Sequence, residues 1–156
     1  MSTSRRELVF LDSNVITSYF SGDERALAIL ESDYTFAITD IVYSEVAFNL
    51  LRAKYFEKHG RYSFYGMKKA LARLEDYLVE AYSLIEEFLQ ELEKQDRLRF
   101  LPVTRETARE ANEIARRYGL LPNDALIAAV CRSHGIKTIA TFDEDFRRIP
   151  WLKVIP

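Results

Sequence analysis

The segment TFDEDFRRIP, residues 141–150, places three carboxylates directly after IKTIA, a short β-branched run that is typical of a strand. The three acids are Asp143, Glu144 and Asp145. Carboxylates at the end of a strand can bind a divalent cation, cap the turn that follows, or face water. The choice among these depends on whether other acids arrive at the same place.

Other acids stand at comparable points of the chain. Asp12 ends the apolar run ELVFL, Asp124 lies in the first turn of the apolar segment LPNDALIAAVC, and Glu45 lies in the second turn of the helical segment that follows YTFAIT. Ligands bind beyond the carboxyl ends of the strands in open parallel sheets. If the sheet is parallel, these acids and Asp143 converge at one edge of it.

Each acid also has a purely structural explanation. Asp12 and Asp143 could cap the helix or turn that they precede. Asp124 suits the positive end of a helix dipole. Glu45 lies beside Asn49 on a narrow polar stripe, and such stripes usually face water. Taken as a set, however, the acids repel one another, and an arrangement without a counter-cation costs stability.

The donor atoms of this set indicate which cation would fit. Carboxylate oxygens suit hard divalent ions, so we expect Mg²⁺ or Mn²⁺ rather than zinc. The only histidines are His59 and His134, and neither neighbours the acids in the sequence. This distribution argues against a zinc site and against a histidine base.

Short apolar runs alternate with helical patterns along the chain. The predicted strands are ELVFLD, YTFAIT, LRFLPV and KTIAT, with LKVI as a possible fifth. Strands that alternate with helices predict βαβ units, and hence an α/β fold. We expect a three-layer α/β/α sandwich with a mainly parallel sheet of four or five strands, formed by residues 1–156 as a single domain.

Composition limits the location and the partners of the protein. The formal net charge is −2 with a pI near 5.8, so the overall charge does not indicate a nucleic-acid binder. Cys131 is the only cysteine, which excludes an internal disulfide and fits a reducing cytosol. The apolar runs are too short for a membrane span or a signal-peptide core, so we expect a cytoplasmic protein without a membrane partner.

Four segments in order, VFLDSNVI, SEVAFNL, NDALIAA and TFDEDF, resemble the signature segments of the PIN-domain (PilT N-terminal) nucleases, and most of all those of VapC-type toxins. The resemblance covers nearly the whole chain. It implies an acidic quartet, an auxiliary acid at the metal and two supporting polar residues. By position in this sequence these are Asp12, Glu45, Asp124 and Asp143, then Asp145, then Asn14 and Thr141.

The resemblance implies an endoribonuclease that uses Mg²⁺ or Mn²⁺ to hydrolyse single-stranded or looped RNA, as the toxin of a type II toxin–antitoxin pair. Its partners would be RNA, a cognate antitoxin and a second copy of the chain. Two other hypotheses remain open. One is a PIN-like module that binds RNA or protein without cleaving. The other is a phosphotransfer enzyme with Asp12 as nucleophile, although such enzymes usually have a second Asp where this chain has Asn14.

A basic and aromatic segment, RAKYFEKHGRYSFYGMKK, follows the Glu45 region. Its candidate RNA contacts are Arg52, Lys54, Arg61 and Lys68. Positive charge that follows a phosphate backbone, combined with rings that stack on bases, is how proteins hold single strands. The alternative is a solvated connector whose aromatic rings pack inward.

We expect residues from about 59 to 96 to form a helical connector and a long helix, the helix from about 67 to 95, and to make a helical hairpin after the second strand. Apolar residues recur there at alternating steps of four and three, the period of a helix–helix seam. The seam residues are Met67, Leu71, Leu74, Leu78, Ala81, Ile85, Phe88 and Leu92. The helix either bends or breaks near Tyr82–Ser83 and packs its seam on the helix that carries Glu45, or offers part of the seam to a second copy of the chain.

Overall fold

The computed structural model describes residues 5–156, so residues 1–4 of the predicted domain lie outside it. Strands and helices alternate through most of the chain. The elements are β1 Glu7–Leu11, α1 Ser13–Phe20, α2 Glu24–Glu31, β2 Tyr34–Thr39, α3 Asp40–His59, α4 Phe64–Ala72, α5 Asp76–Lys94, β3 Leu98–Leu101, α6 Arg105–Tyr118, α7 Pro122–Ser133, β4 Thr138–Ala140, a 3₁₀ helix Glu144–Arg148, and β5 Lys153–Ile155. Across residues 5–156, no helix is both long enough and apolar enough to cross a bilayer.

The sheet has five strands in the order β3-β2-β1-β4-β5, and every pair is parallel. Val9, Phe10 and Leu11 of the central strand are fully buried. Burial of consecutive residues means that both faces of β1 are covered, as is usual in parallel sheets. The predicted α/β fold is confirmed, and the possible fifth strand is β5.

The helices fall into two packed groups. In the first group, α1 packs against α2 and α3, and α3 packs against α5; in the second, α6 packs against α7. Right-handed crossovers explain the division. The connections from β1 through β2 to β3 run in one direction across the sheet, whereas the connection from β3 to β4 runs back. The two groups therefore cover opposite faces of the sheet.

The predicted long helix from Met67 to Gln95 is wrong in one respect, because it is two helices. α4 ends at Ala72 and α5 begins at Asp76. Between them Leu74 has a φ of 58°, in the left-handed region that ends a helix. A break near Tyr82–Ser83 is also wrong, since α5 continues through both residues.

The apolar seam packs inside the chain from Leu78 onward. Leu78, Ala81 and Ile85 are buried, and α5 packs on α3, the helix that carries Glu45. Leu74 has 71% of its surface exposed because the break turns it away from the core. The buried side of α5 is therefore not available to a second copy of the chain.

We expect Leu78→Ala to lower the free energy of unfolding by about 2–5 kcal/mol, because it removes a fully buried side chain from the α5–α3 contact. Leu74→Ala is the matched control, since it truncates the same residue type at an exposed position. It should change stability by less than about 0.5 kcal/mol. Urea unfolding followed by circular dichroism measures both. Equal losses in the two variants would contradict the internal packing of α5.

Candidate metal centre

The predicted acids lie where the strand order of the sheet reverses. From β1 the chain proceeds to β2 on one side, whereas β4 lies on the other side of β1. A crevice forms at the carboxyl ends of two such strands. The backbone N–H of Asp12 donates to the carbonyl of Ala140 at 3.0 Å, which brings the ends of β1 and β4 together. Asp12 and the turn after Ala140 therefore share one site.

Asp12 is held by hydrogen bonds at both carboxylate oxygens. Its Oδ1 accepts from the backbone N–H of Ser13 at 2.8 Å, as the N-cap of α1. Its Oδ2 accepts from the Thr141 hydroxyl at 2.7 Å, and Asn14 Nδ2 lies 3.2 Å from Thr141 Oγ1. Asn14 Oδ1 in turn accepts from the backbone N–H of Phe142 at 3.1 Å. Asn14 and Thr141 thus fix the orientation of Asp12.

Asp124, Asp143 and Asp145 form the tightest part of the cluster. One carboxylate oxygen of each lies within 4.8 Å of the others, close enough for the three to share one cation. Asp143 is also the N-cap of the 3₁₀ helix, where its Oδ1 accepts from the Asp145 N–H at 2.9 Å. Asp145 pairs with Arg148 at 2.6 Å. Among the described residues, Arg148 is the one cation that an ion pair joins to this cluster.

Glu45 reaches the site from α3, and side chains from two other helices hold it. Its Oε2 accepts from the Ser13 hydroxyl at 2.6 Å, and its Oε1 accepts from Asn123 Nδ2 at 2.7 Å. Sequence analysis missed both donors. The only available signal was that each is adjacent in the sequence to a predicted acid, Ser13 to Asp12 and Asn123 to Asp124.

Burial raises the pKa of Asp12 from 3.8 to about 6. The hydrogen bonds from Thr141 and Ser13 act in the opposite direction, because they stabilise the ionised form. The negative charges of Glu45 and Asp143 raise the pKa further. Within residues 5–156, Asp12 is therefore a buried acid with no positively charged partner in an ion pair.

The pKa of Asp124 is also raised to about 6, first by burial and then by the charges of the surrounding acids. In decreasing order these charges belong to Asp143, Asp12, Glu45 and Asp145. Asp124 thus interacts electrostatically with every other predicted acid. The acids that the sequence analysis selected lie together in the structure.

The chemistry of the donor atoms fits a hard divalent cation. The cluster offers carboxylate oxygens, the ligands that Mg²⁺ and Mn²⁺ prefer. The two histidines lie elsewhere: His59 bonds to Tyr77, and His134 bonds to a carbonyl at the end of α7. Cys131 is fully buried, and burial raises the pKa of its thiol. Among residues 5–156, the group that could share one cation consists of carboxylates and contains neither a histidine nor a cysteine.

The candidate RNA contacts are spread along α3 and the segment after it. Arg52 stacks over the Tyr62 ring at 4.9 Å, and Lys54 pairs with Glu80 at 3.2 Å. Arg61 and Lys68 are exposed. Arg52 lies on the same side of α3 as Glu45, two helical turns or about 10 Å further along.

The aromatic residues of this segment divide into two sets. Tyr55 packs inward, as the connector alternative expected, and is only 7% exposed. Tyr62, Phe64 and Tyr65 are 39%, 49% and 76% exposed, so for these residues inward packing is wrong. Exposed rings next to positive charge are available for stacking.

In metal-free protein, we expect Asp12→Asn to become more stable than wild type as the pH rises from about 4 to 6. A folded-state pKa of about 6 means that the folded protein binds the Asp12 proton more tightly than the unfolded chain does. Wild type therefore loses the stability due to this group as the proton leaves, whereas the amide has no proton to lose. Near neutral pH the variant should gain on the order of 1 kcal/mol.

Urea unfolding in EDTA at pH values from about 4 to 7 measures this difference, because the range spans the unfolded and the folded pKa of Asp12. Glu87→Gln, at an exposed residue in the interior of α5, is the control and should track wild type across the range. A difference between Asp12→Asn and wild type that does not change with pH would contradict the raised pKa of Asp12.

Comparison with known proteins identifies the family. The PIN-domain family model matches residues 9–152. Two relatives come from Methanocaldococcus jannaschii. Ribonuclease VapC6 is 33% identical over 151 residues, covering 94% of this chain and 95% of its own. Ribonuclease VapC2 is 31% identical over 155 residues, covering 94% of this chain and 92% of its own.

Solved structures share the fold. VapC20 of Mycobacterium tuberculosis, described as a toxin that cleaves the sarcin–ricin loop, has a TM-score of 0.62 at 20% identity and covers 95% of this chain and 99% of its own. VapBC2 of Rickettsia felis, bound to a DNA fragment from its promoter, has a TM-score of 0.61 at 19% identity, with 95% and 97% coverage. The chain belongs to the PIN-domain family, and the two relatives from Methanocaldococcus jannaschii are named VapC ribonucleases.

Proposed function

We propose that the protein is a divalent-metal-dependent endoribonuclease that hydrolyses phosphodiester bonds in single-stranded or looped RNA. The observation that carries this proposal is the carboxylate cluster of Asp124, Asp143 and Asp145, within 4.8 Å of one another and coupled electrostatically to the buried Asp12. Relatives more than 30% identical along nearly the whole chain are named ribonucleases, which supports the same activity here.

Asp12, Asp124 and Asp143 are the residues that would hold the cation, with Glu45 and Asp145 as further ligands. Mg²⁺ or Mn²⁺, when bound, supplies an activated water and stabilises charge on the phosphate. The protein orients the site itself: the Thr141 hydroxyl and the Ser13 backbone N–H direct the two oxygens of Asp12. Because each carboxylate is a metal ligand in this proposal, none has to act as a free general base.

The RNA would run from the cluster along α3. Arg52 provides positive charge about two turns from Glu45, and the exposed Tyr62 ring beneath its guanidinium provides a stacking surface. Lys54 already pairs with Glu80, so its charge is partly offset. Arg61 and Lys68 would extend the path over the connector and α4. Single-stranded RNA suits this route because its bases can leave the stack.

We further propose that the protein is a type II toxin and that a cognate antitoxin binds it. It would act in the cytoplasm as a homodimer. A structure of similar fold is a toxin–antitoxin complex from Klebsiella pneumoniae, which covers 95% of this chain at 19% identity with a TM-score of 0.58. Exposed apolar surface is the physical requirement for such contacts, and Phe48 and Phe56 on α3 are 40% and 55% exposed.

We expect Asp12→Asn and Asp124→Asn to abolish RNA cleavage while the protein remains folded. Each substitution removes a charged ligand from a site that depends on several, so the rate should fall at least about 100-fold. The measurement is cleavage of a labelled single-stranded RNA in Mn²⁺ or Mg²⁺, with folding checked by circular dichroism. Asp76→Asn is the control and should cleave at the wild-type rate.

If Asp12→Asn or Asp124→Asn cleaved RNA at the wild-type rate, with contaminating nuclease excluded, the catalytic assignment would be wrong. Metal-dependent RNA binding without cleavage in the wild type would instead favour the non-catalytic PIN-like module. The second result also bears on the antitoxin, because a bound partner could block the site. The protein is therefore assayed after purification under denaturing conditions and refolding.

Mn²⁺ or Mg²⁺ should raise the melting temperature of the wild-type protein, because the cation binds the folded site and not the separated acids of the unfolded chain. At a cation concentration of about 100 Kd the gain is roughly 2.7 kcal/mol, or roughly 5–10 °C in Tm. In Asp12→Asn the shift should be absent or much smaller. Thermal unfolding with and without the cation tests this, and equal shifts in both proteins would mean that the cation acts elsewhere.

A further inference from the structure

Glu45 differs from the other acids in its local setting. Asp12 caps α1, Asp124 lies in the first turn of α7, and Asp143 caps the 3₁₀ helix. A helix N-terminus stabilises negative charge through its free N–H groups. Glu45 is in the second turn of α3, where the backbone N–H groups bond within the helix. The orientation of its carboxylate therefore depends on side chains from other elements.

Two donors meet this requirement, one at each carboxylate oxygen. Asn123 Nδ2 is 2.7 Å from Oε1, and Ser13 Oγ is 2.6 Å from Oε2. Hydrogen bonds to an ionised acceptor are short and strong. A carboxylate that is bonded at both oxygens has a fixed direction. The donors come from α7 and α1, the helices that also carry Asp124 and follow Asp12.

The local structure of α7 does not account for the side chain of Asn123. Leu121 is the N-cap of α7, and no side chain bonds to the cap. Asn has a low helix propensity, so helix stability does not favour it over other residues in this turn. Its amide instead donates to Glu45, 78 residues away in the chain. The site, rather than the helix, explains this residue.

We propose that Asn123 is a positioning residue that orients Glu45 toward the metal centre. This inference rests on the proposed function. An ionised carboxylate has about four lone-pair sites, so two donors leave the others free for a cation. A neutral amide suits this role better than Lys or Arg would, because it fixes the direction of the carboxylate without cancelling the negative charge that attracts the cation.

A double-mutant cycle on the full-length, metal-stripped protein tests whether Asn123 acts through Glu45. Mn²⁺ affinity is measured by isothermal titration calorimetry for wild type, Asn123→Ala, Glu45→Ala and the double variant. We expect Asn123→Ala to weaken Mn²⁺ binding about tenfold. The double variant should bind no more weakly than Glu45→Ala, because residues that act as one unit are not additive. Additive losses would overturn the proposal.

Further variants separate positioning from a merely structural role. Asn123→Gln keeps a carboxamide donor and should restore most of the affinity, whereas equal losses in the Gln and Ala variants would overturn the donor role. Asn112→Ala removes an exposed Asn from α6 and should leave affinity unchanged. The metal-free Tm of Asn123→Ala should match wild type, and its kcat for RNA should fall while KM stays constant. A parallel loss of Tm would contradict positioning.

Failure of this inference is distinguishable from failure of the proposed function. If wild type binds Mn²⁺ and cleaves RNA, and Asp12→Asn loses both, the proposed function stands. Asn123→Ala with wild-type Mn²⁺ affinity then overturns the positioning role alone. If wild type shows no Mn²⁺ binding that depends on Asp12, both proposals fall together.

Discussion

Oxygen atoms of Asp124, Asp143 and Asp145 lie within 4.8 Å of one another, and the surrounding fold must offset the repulsion among them. Most of the groups that offset this repulsion carry no charge. They are the N–H groups at helix N-termini, the hydroxyls of Thr141 and Ser13, and side-chain amides. Burial then raises the pKa of Asp12 and of Asp124 to about 6, so repulsion and desolvation both disfavour full ionisation. The site is left with negative charge that the described part of the protein balances only in part.

The parallel sheet makes such a site possible because it supplies several chain ends at one edge. β1 and β4 are neighbours although most of the chain separates them, and the bond from Asp12 N–H to the Ala140 carbonyl joins their ends. The fully buried residues of β1 hold this edge in place against the repulsion. An acid on a mobile loop would relieve the repulsion by moving away, whereas Asp12 on a buried strand end cannot.

Sequence patterns predicted the features of the site that depend on residues close together in the chain. Buried strands, helix starts and the acids beside them all leave local signals, which is why the fold and the convergence of the acids could be inferred. The break at Leu74 leaves no such signal, because the apolar period continues through it without Gly or Pro. The bond from Asn123 to Glu45 spans 78 residues, and only the folded chain brings the two together.

Arg148 shows what limits charge compensation at this site. Its guanidinium donates to Asp145 at 2.6 Å and to the carbonyl of Gly119 at 2.6 Å, so it joins the 3₁₀ helix to the turn before α7. Arg148 can therefore fix the separation between Asp145 and Asp124 from the edge of the cluster. The same cation bonded to Asp12 or Glu45 would stabilise the empty site and compete with a metal ion for the same oxygens. Neutral donors at Asp12 and Glu45 keep the geometry of the carboxylates and leave their negative charge available to a metal ion. The metal-free protein is less stable as a result, and the site keeps its capacity to bind the cation.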